Sequence, residues 1–101
     1  MSSGKTRYDF NDQTAVVTGG SRGIGRQICE AFAEAGARVF TCSRRLPEEA
    51  YRSDQITCES VDVRDPEATA AWLERCAEHA GGIDILVNNA GVDRMPGDGS
   101  D

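Results

Sequence analysis

An apolar run that ends in a cluster of glycines is the feature that most restricts the fold of this chain. The run is Thr14–Thr18, and its composition suits a strand that is covered on both faces. Four glycines follow at once, at Gly19, Gly20, Gly23 and Gly25. Apolar residues then recur at helical spacing over about residues 24–35, and Gly36 is a natural end for that helix. A strand, a glycine turn and a helix in this order predict the first unit of a parallel α/β sheet.

The same alternation continues along the chain. Further strands are predicted at residues 38–42, 56–61 and 83–87. Pro47 is predicted to open a short helix, and a longer helix is predicted from Pro66, with Asp65 as its cap, to Gly81 and Gly82. The order is therefore β-α-β-α-β-α-β. Right-handed crossovers then give a Rossmann-like, doubly wound parallel sheet with the strand order 3-2-1-4.

Composition excludes several classes of function. The net charge is −6, and Lys5 is the only lysine, so no basic stripe is available for a nucleic acid. No window approaches the roughly 18 apolar residues of a membrane helix, and the polar start of the chain does not look like a signal peptide. We therefore expect a cytoplasmic protein that binds neither nucleic acid nor membrane.

The cysteines are expected to be reduced. They are Cys29, Cys42, Cys58 and Cys76. No two of them are close in sequence and none forms a Cys-x-x-Cys pair, so we expect buried thiols rather than disulfides. A zinc site that includes His79 is disfavoured, because zinc ligands usually come in pairs two to five residues apart. No metal site is predicted.

The glycine turn, residues 19–25, has the chemistry of a pyrophosphate site. A pyrophosphate needs a close approach to the backbone, free N–H groups and the positive end of a helix. Gly19 permits the turn, Gly23 removes a side chain where a cofactor must pass, and Gly25 lets the helix pack on the strand. Glycine turns also occur in connections that bind nothing. The spacing Gly-x-x-x-Gly-x-Gly differs from the usual Gly-x-Gly-x-x-Gly of dinucleotide-binding folds.

Three motifs together resemble the short-chain dehydrogenase/reductase family. They are the glycine turn with Thr18 before it, Asp62-Val63 after the third strand, and the run of residues 88–91, Asn-Asn-Ala-Gly, after the fourth. The resemblance covers residues 11–92 and corresponds to the N-terminal Rossmann half of such an enzyme. Outside it, residues 1–10 are predicted to be a tail and residues 93–101 a disordered or frayed end.

The resemblance implies a role for each motif in binding a nicotinamide dinucleotide. The glycine turn would bind the pyrophosphate, through Gly19, Ser21, Arg22, Gly23, Ile24 and Gly25. Asp62 and Val63 would hold the adenine, although Asp62 could instead be a turn residue. Asn88, Ala90 and Gly91 would stabilise the central strand and line the adenosine-ribose side. Asn88 is expected to be structural first, with its side chain bonded to backbone across neighbouring strands.

The end of the second strand predicts NADP(H) rather than NAD(H). A site for NAD places a carboxylate there to bind the ribose hydroxyls, but this position is Ser43. Arg44 can give charge-assisted hydrogen bonds to a 2′-phosphate. Arg22 is placed to help from the glycine turn.

No catalytic residue is predicted in this chain. The family's catalysis relies on a Tyr-x-x-x-Lys motif, in which the tyrosine is the general acid/base. Only Tyr8 and Tyr51 occur, and Lys5 precedes both of them, so the motif is absent. We expect this chain to bind NADP(H) without dehydrogenase activity of its own. The small carbonyl or alcohol substrate stays unidentified, and a non-enzymatic dinucleotide-binding or interaction module is the alternative.

The fourth strand is expected to lack an outer neighbour. Its unpaired backbone groups and apolar faces would make the isolated chain marginally stable or prone to aggregation. Oligomers of the family's kind are expected only when the later half of such an enzyme is supplied.

Overall fold

A computed structural model describes residues 10–89 of the chain as four strands and two helices. In chain order these are β1 (Thr14–Thr18), α1 (Gly23–Glu34), β2 (Arg38–Ser43), β3 (Ile56–Ser60), α2 (Pro66–Ala80) and β4 (Ile85–Val87). All strand pairs are parallel, and the order across the sheet is β3-β2-β1-β4. The predicted parallel Rossmann-like sheet and its strand order are therefore confirmed. The predicted C-terminal tail and most of the N-terminal one lie outside the described residues.

The two helices cover opposite faces of the sheet. On the α1 face, Cys29 and Ala33 pack with Val17, Val39 and Ile56 of the strands. The opposite face has its own apolar cluster, formed by Val16, Phe40, Cys42, Val61, Trp72 and Cys76. Every residue of β1 is buried, as expected for a central strand between two helical layers.

The prediction of a short helix that begins at Pro47 is wrong. Residues 44–55 connect β2 to β3 without a helix, so the order is β-α-β-β-α-β. The carbonyl oxygens of Glu49 and Ala50 accept hydrogen bonds from the Arg26 guanidinium of α1. A partner from another element thus satisfies this backbone in place of the i→i+4 bonds of a helix.

Asp84 explains why β4 begins two residues later than predicted. Its carboxylate accepts a hydrogen bond from the Thr14 N–H at 2.8 Å, and its own N–H donates to the Thr14 carbonyl oxygen at 3.0 Å. A side-chain oxygen therefore occupies the place of a ladder carbonyl, and the regular strand is Ile85–Val87. The other predicted strand and helix ends agree with the structure within one or two residues.

The longer helix, α2, has the predicted cap. The Asp65 side chain accepts hydrogen bonds from the N–H groups of Glu67 and Ala68, and Pro66 occupies the first turn. The helix ends at Gly81, whose φ of 81° is left-handed. Neither helix of the described part of the chain is long and apolar enough to cross a membrane.

Candidate functional site

The glycine turn lies at the carboxyl end of β1, between the two neighbouring strands. Gly19 has a φ of 71° and Gly23 a φ of 61°, which are left-handed values that strain other residues. The Gly19 N–H donates to the Cys42 carbonyl oxygen of β2 at 2.8 Å. The turn thus leaves β1 sharply while it stays hydrogen-bonded to β2.

Two other glycines allow the turn to pack closely. A Cβ on Gly25 would lie 2.0 Å from the Gly19 carbonyl oxygen and 2.5 Å from Asn89 Nδ2. A Cβ on Gly20 would lie 2.2 Å from Thr41 Oγ1. Since the contacts of Gly25 are with backbone and with a buried side chain, no larger residue fits without moving the turn.

The start of α1 has no side-chain cap among the described residues. The N-cap residue is Arg22, whose side chain accepts nothing, and the first turn holds no acidic residue. The start of α2, by contrast, has both Asp65 and Glu67. The first N–H groups of any helix lack an intrahelical acceptor and carry partial positive charge. The start of α1 is therefore chemically suited to an anion from outside the chain.

Asn88 and Asn89 connect the end of β4 to the glycine turn in different ways. Asn88 Oδ1 accepts a hydrogen bond from Thr18 Oγ1 at 3.1 Å, and its side chain lies on the exposed side. Asn89, which is only 3% exposed, donates from Nδ2 to the Gly19 carbonyl oxygen at 3.0 Å. The bond to neighbouring backbone that we expected from Asn88 is thus made by Asn89. Ala90 and Gly91 lie outside the described residues.

The residues predicted to choose the cofactor lie in the glycine turn and at the neighbouring end of β2. Ser43 Oγ, at the end of β2, lies 3.0 Å from Ser21 Oγ of the turn. Arg44 follows Ser43 and is exposed, as is Arg22. Ile24 is 59% exposed although it is apolar, on the first turn of α1. The structure therefore brings two hydroxyls and two arginines to one edge of the sheet.

Asp62 lies just beyond β3 and is held by Arg64. Arg64 Nε and Nη2 donate to the two carboxylate oxygens at 3.1 and 3.0 Å, and the Arg64 N–H donates to Oδ1 at 2.9 Å. These hydrogen bonds lower the pKa of Asp62 to about 2, so the carboxylate is charged at neutral pH. Asp62 is thus a turn residue that also presents a charge next to Val63, which is 36% exposed.

Two residues that no sequence pattern predicted also contact the turn. Tyr51 Oη donates to the Gly20 carbonyl oxygen at 3.0 Å. Arg26 Nη1 lies 3.4 Å from the Ser21 carbonyl oxygen, and its guanidinium lies 4.5 Å from the centre of the Tyr51 ring. Burial raises the pKa of Tyr51, so the phenol stays protonated and remains a donor. No local pattern marks these contacts, because Tyr51 lies 31 residues beyond Gly20.

The thiols lie away from the exposed surface of the turn. All four cysteines are free, and Cys29, Cys42 and Cys76 are buried. Burial raises the pKa of each of these three to about 11. Residues 10–89 contain no group of three or more His, Cys, Asp or Glu side chains that could hold a metal ion.

Comparisons with known proteins agree on one family. Residues 13–100 match the family "short chain dehydrogenase". The chain is 42% identical over 90 residues to the 3-oxoacyl-[acyl-carrier-protein] reductase FabG of Vibrio cholerae, a match that covers 85% of this chain and 37% of that protein. The chain spans about a third of the length of the curated relatives it matches.

Solved structures show the same fold. The ligand-free aldohexose dehydrogenase of Thermoplasma acidophilum has a TM-score of 0.72 at 35% identity, over 79% of this chain and 30% of that one. A short chain dehydrogenase of Leptospira borgpetersenii with bound NAD+ has a TM-score of 0.72 at 24% identity, over 87% and 35% of the two chains. The resemblance carried by the three sequence motifs is therefore confirmed, and the chain belongs to the short-chain dehydrogenase family of oxidoreductases.

Proposed function

We propose that this chain binds NADP(H) at the carboxyl edge of its sheet, as the cofactor-binding part of an oxidoreductase. The complete enzyme would transfer a hydride between NADP(H) and a carbonyl or alcohol substrate. The observation that carries the proposal is the start of α1, which follows the glycine turn and has no side-chain cap among the described residues. A pyrophosphate placed there would accept hydrogen bonds from those N–H groups and interact with the helix dipole.

The preference for NADP(H) rests on the end of β2. Ser43 is uncharged, so no carboxylate repels a 2′-phosphate there. Its hydroxyl and that of Ser21 are hydrogen-bonded to each other at 3.0 Å, so one donates within the pair and the other can donate to a phosphate oxygen. The exposed Arg44 and Arg22 can add charge-assisted hydrogen bonds. One hydroxyl donor and two guanidinium groups suit the charge and hydrogen-bonding capacity of a phosphate ester.

The adenine would lie towards the end of β3. Asp62 is charged and can accept a hydrogen bond from the adenine amino group in addition to those from Arg64, because a carboxylate has about four acceptor sites. The half-exposed Val63 offers an apolar contact for the ring edge. Asn88, Ala90 and Gly91 remain the proposed residues on the adenosine-ribose side.

The chain's own residues bind and orient the cofactor, and we propose no catalytic residue among them. When bound, NADP(H) supplies the hydride donor or acceptor at nicotinamide C4. The Tyr51 phenol is no substitute for the family's catalytic tyrosine, because it donates to the Gly20 carbonyl and its pKa is raised. A general acid/base needs a pKa near the working pH. We therefore propose that the 101-residue chain alone binds the cofactor without turnover.

Two measurements on the purified chain test this proposal. Titration with NADPH, followed by the fluorescence of the reduced nicotinamide, should show saturable binding that is tighter than binding of NADH. Oxidation of NADPH in the presence of a panel of aldehydes and ketones should stay at the rate without protein. Absence of NADPH binding would refute the proposed site, whereas carbonyl-dependent turnover would refute the proposed lack of activity.

A further inference from the structure

The connection between β2 and β3 is attached to the glycine turn by two side chains. Arg26, one residue beyond the turn, donates to the Glu49 carbonyl oxygen at 3.0 Å and also to that of Ala50. The same guanidinium lies 3.4 Å from the Ser21 carbonyl oxygen and 3.4 Å from a Glu30 carboxylate oxygen. A single arginine therefore joins the turn, α1 and the connection.

Tyr51 forms the second link. Its hydroxyl donates to the Gly20 carbonyl oxygen at 3.0 Å, and its ring lies against the Arg26 guanidinium at 4.5 Å. Cation–π contact of this kind is most favourable for a side chain that is shielded from water. The Arg26 side chain is 20% exposed and that of its partner Glu30 is 18% exposed. Arg26 and Tyr51 thus support each other while each holds a different carbonyl of the turn.

These two bonds determine the direction of two peptide groups. The C=O and N–H of a trans peptide point in opposite directions, and the described chain contains no cis peptide. Since the Gly20 carbonyl points to Tyr51, the Ser21 N–H points away from it. Since the Ser21 carbonyl faces Arg26, the Arg22 N–H points away from that side chain. Both N–H groups lie immediately before α1, which no side chain of the described part of the chain caps.

We propose that Arg26 and Tyr51 are positioning residues for the pyrophosphate, which they orient through the glycine turn without touching it. The inference rests on the proposed function, because it concerns the same dinucleotide site. Each side chain holds a carbonyl oxygen on the far side of a peptide whose N–H faces the ligand. The cost of ordering these donors is then met during folding, so that it does not weaken binding.

The test compares two variants with a matched control. Tyr51→Phe removes only the hydroxyl and keeps the ring on Arg26, whereas Arg26→Gln removes the guanidinium. Arg52→Gln is the control, because Arg52 comes from the same connection and lies 3.5 Å from the same Glu30, yet its side chain is 80% exposed. Each is titrated with NADPH by fluorescence, and with adenosine by NMR. The second ligand carries the adenine and the ribose but no phosphate, so it does not reach the glycine turn in the proposed site.

Loss of orientation should affect only the ligand that has a pyrophosphate. Tyr51→Phe should raise the Kd for NADPH about three- to tenfold, the equivalent of one hydrogen bond, and Arg26→Gln at least as much. The Kd for adenosine should stay within twofold for both variants, and Arg52→Gln should change neither ligand.

Other outcomes would overturn the inference. Equal weakening of both ligands would mean that the two residues only stabilise the fold, and unchanged NADPH binding in both variants would remove their role altogether. Failure of the unsubstituted chain to bind NADPH would instead refute the proposed function, so the two failures are distinguishable.

Discussion

Asn89 donates a hydrogen bond to the carbonyl oxygen of Gly19, a residue 70 positions earlier in the chain, across 3.0 Å. The bond joins the end of β4 to the first residue of the glycine turn, and the Asn89 side chain is almost fully buried. Gly25 packs against both partners, because a Cβ on it would meet the Gly19 oxygen and Asn89 Nδ2. These three residues hold the turn against the sheet.

Replacement of the Asn89 amide by a carboxylate should destabilise the protein. Asn89→Asp keeps the size of the side chain but turns a donor into a charged acceptor that faces the Gly19 carbonyl. We expect the free energy of unfolding in urea to fall by at least about 2 kcal/mol, since a buried polar group loses its partner. Asn88→Asp is the control: Asn88 already accepts from the Thr18 hydroxyl, so we expect a change of about 0.5 kcal/mol or less. Equal effects of the two substitutions would contradict the roles of Asn89 as a donor to Gly19 and of Asn88 as an acceptor from Thr18.

Gly25→Ala should be destabilising, against the usual rule for helices. Within a helix, alanine is ordinarily better than glycine by about 1 kcal/mol. At Gly25 the added methyl would lie 2.0 Å from the Gly19 carbonyl oxygen, so we expect a loss of about 1–3 kcal/mol.

Thermal or urea unfolding measures the effect of Gly25→Ala, with Gly81→Ala as a comparison. At Gly81 a Cβ meets nothing within 4 Å, and only the left-handed φ of 81° opposes the change. A gain in stability from Gly25→Ala would show that the turn is looser than described.

Local sequence patterns predicted most of the helices and strands, because the ends of these elements depend on the residues at those ends. The apolar run before Gly19 is β1 to the residue, and Asp65 with Pro66 marks the start of α2. The β2–β3 connection was predicted wrongly because the Arg26 side chain, 23 residues before Glu49, satisfies its carbonyl groups. The residues around Pro47 favour a helix locally, but they carry no information about a partner as distant in the sequence as Arg26.

The position of the glycine turn was predicted for a similar reason. Glycine spacing marked the turn, whereas the contact between Ser43 and Ser21 was not predicted. The sequence did not show which of Asn88 and Asn89 bonds to the turn. Adjacent residues at the end of a strand face different directions, and their order alone does not say which one faces the turn. No pattern around Tyr51 predicts its bond to Gly20, because that bond depends on how the connection packs against α1.

The pair Ser43→Asp and Arg44→Asp should reverse the proposed preference for NADP(H). The two new carboxylates would repel a 2′-phosphate, and the guanidinium of Arg44 would be lost. We therefore expect the Kd for NADPH to rise about ten- to hundredfold. Binding of NADH, which has ribose hydroxyls in place of that phosphate, should be unchanged or tighter. Fluorescence titrations with both reduced cofactors measure the ratio, and an unchanged Kd for NADPH would refute the assignment of the 2′-phosphate position.

Stability should fall in alkaline solution because of buried thiols. The pKa of Cys29, Cys42 and Cys76 is raised from 9.0 to about 11 by burial. Between these values the unfolded chain has lost protons that the native chain retains, so the free energy of unfolding decreases as pH rises from 9 towards 11. The raised pKa of Tyr51 acts in the same direction.

Urea unfolding at pH 7.5, 9 and 10.5 measures this dependence. Cys76→Ala should flatten the slope, because one of the three thiols is then absent from both states. Equal stability at pH 7.5 and 10.5 would contradict the burial of these groups.

Within residues 10–89 no side chain caps α1, and this has a consequence for how the cofactor and the polypeptide depend on each other. The Asp65 side chain caps the first N–H groups of α2, whereas a phosphate bound from solution would cap those of α1. A dinucleotide bound there would cap α1 in the native state only. The melting temperature of the protein would therefore rise with the concentration of the dinucleotide. At a hundredfold excess over Kd this linkage amounts to about 2.7 kcal/mol. For a domain of this size, the supply of cofactor would then govern how much of the chain survives in its folded form.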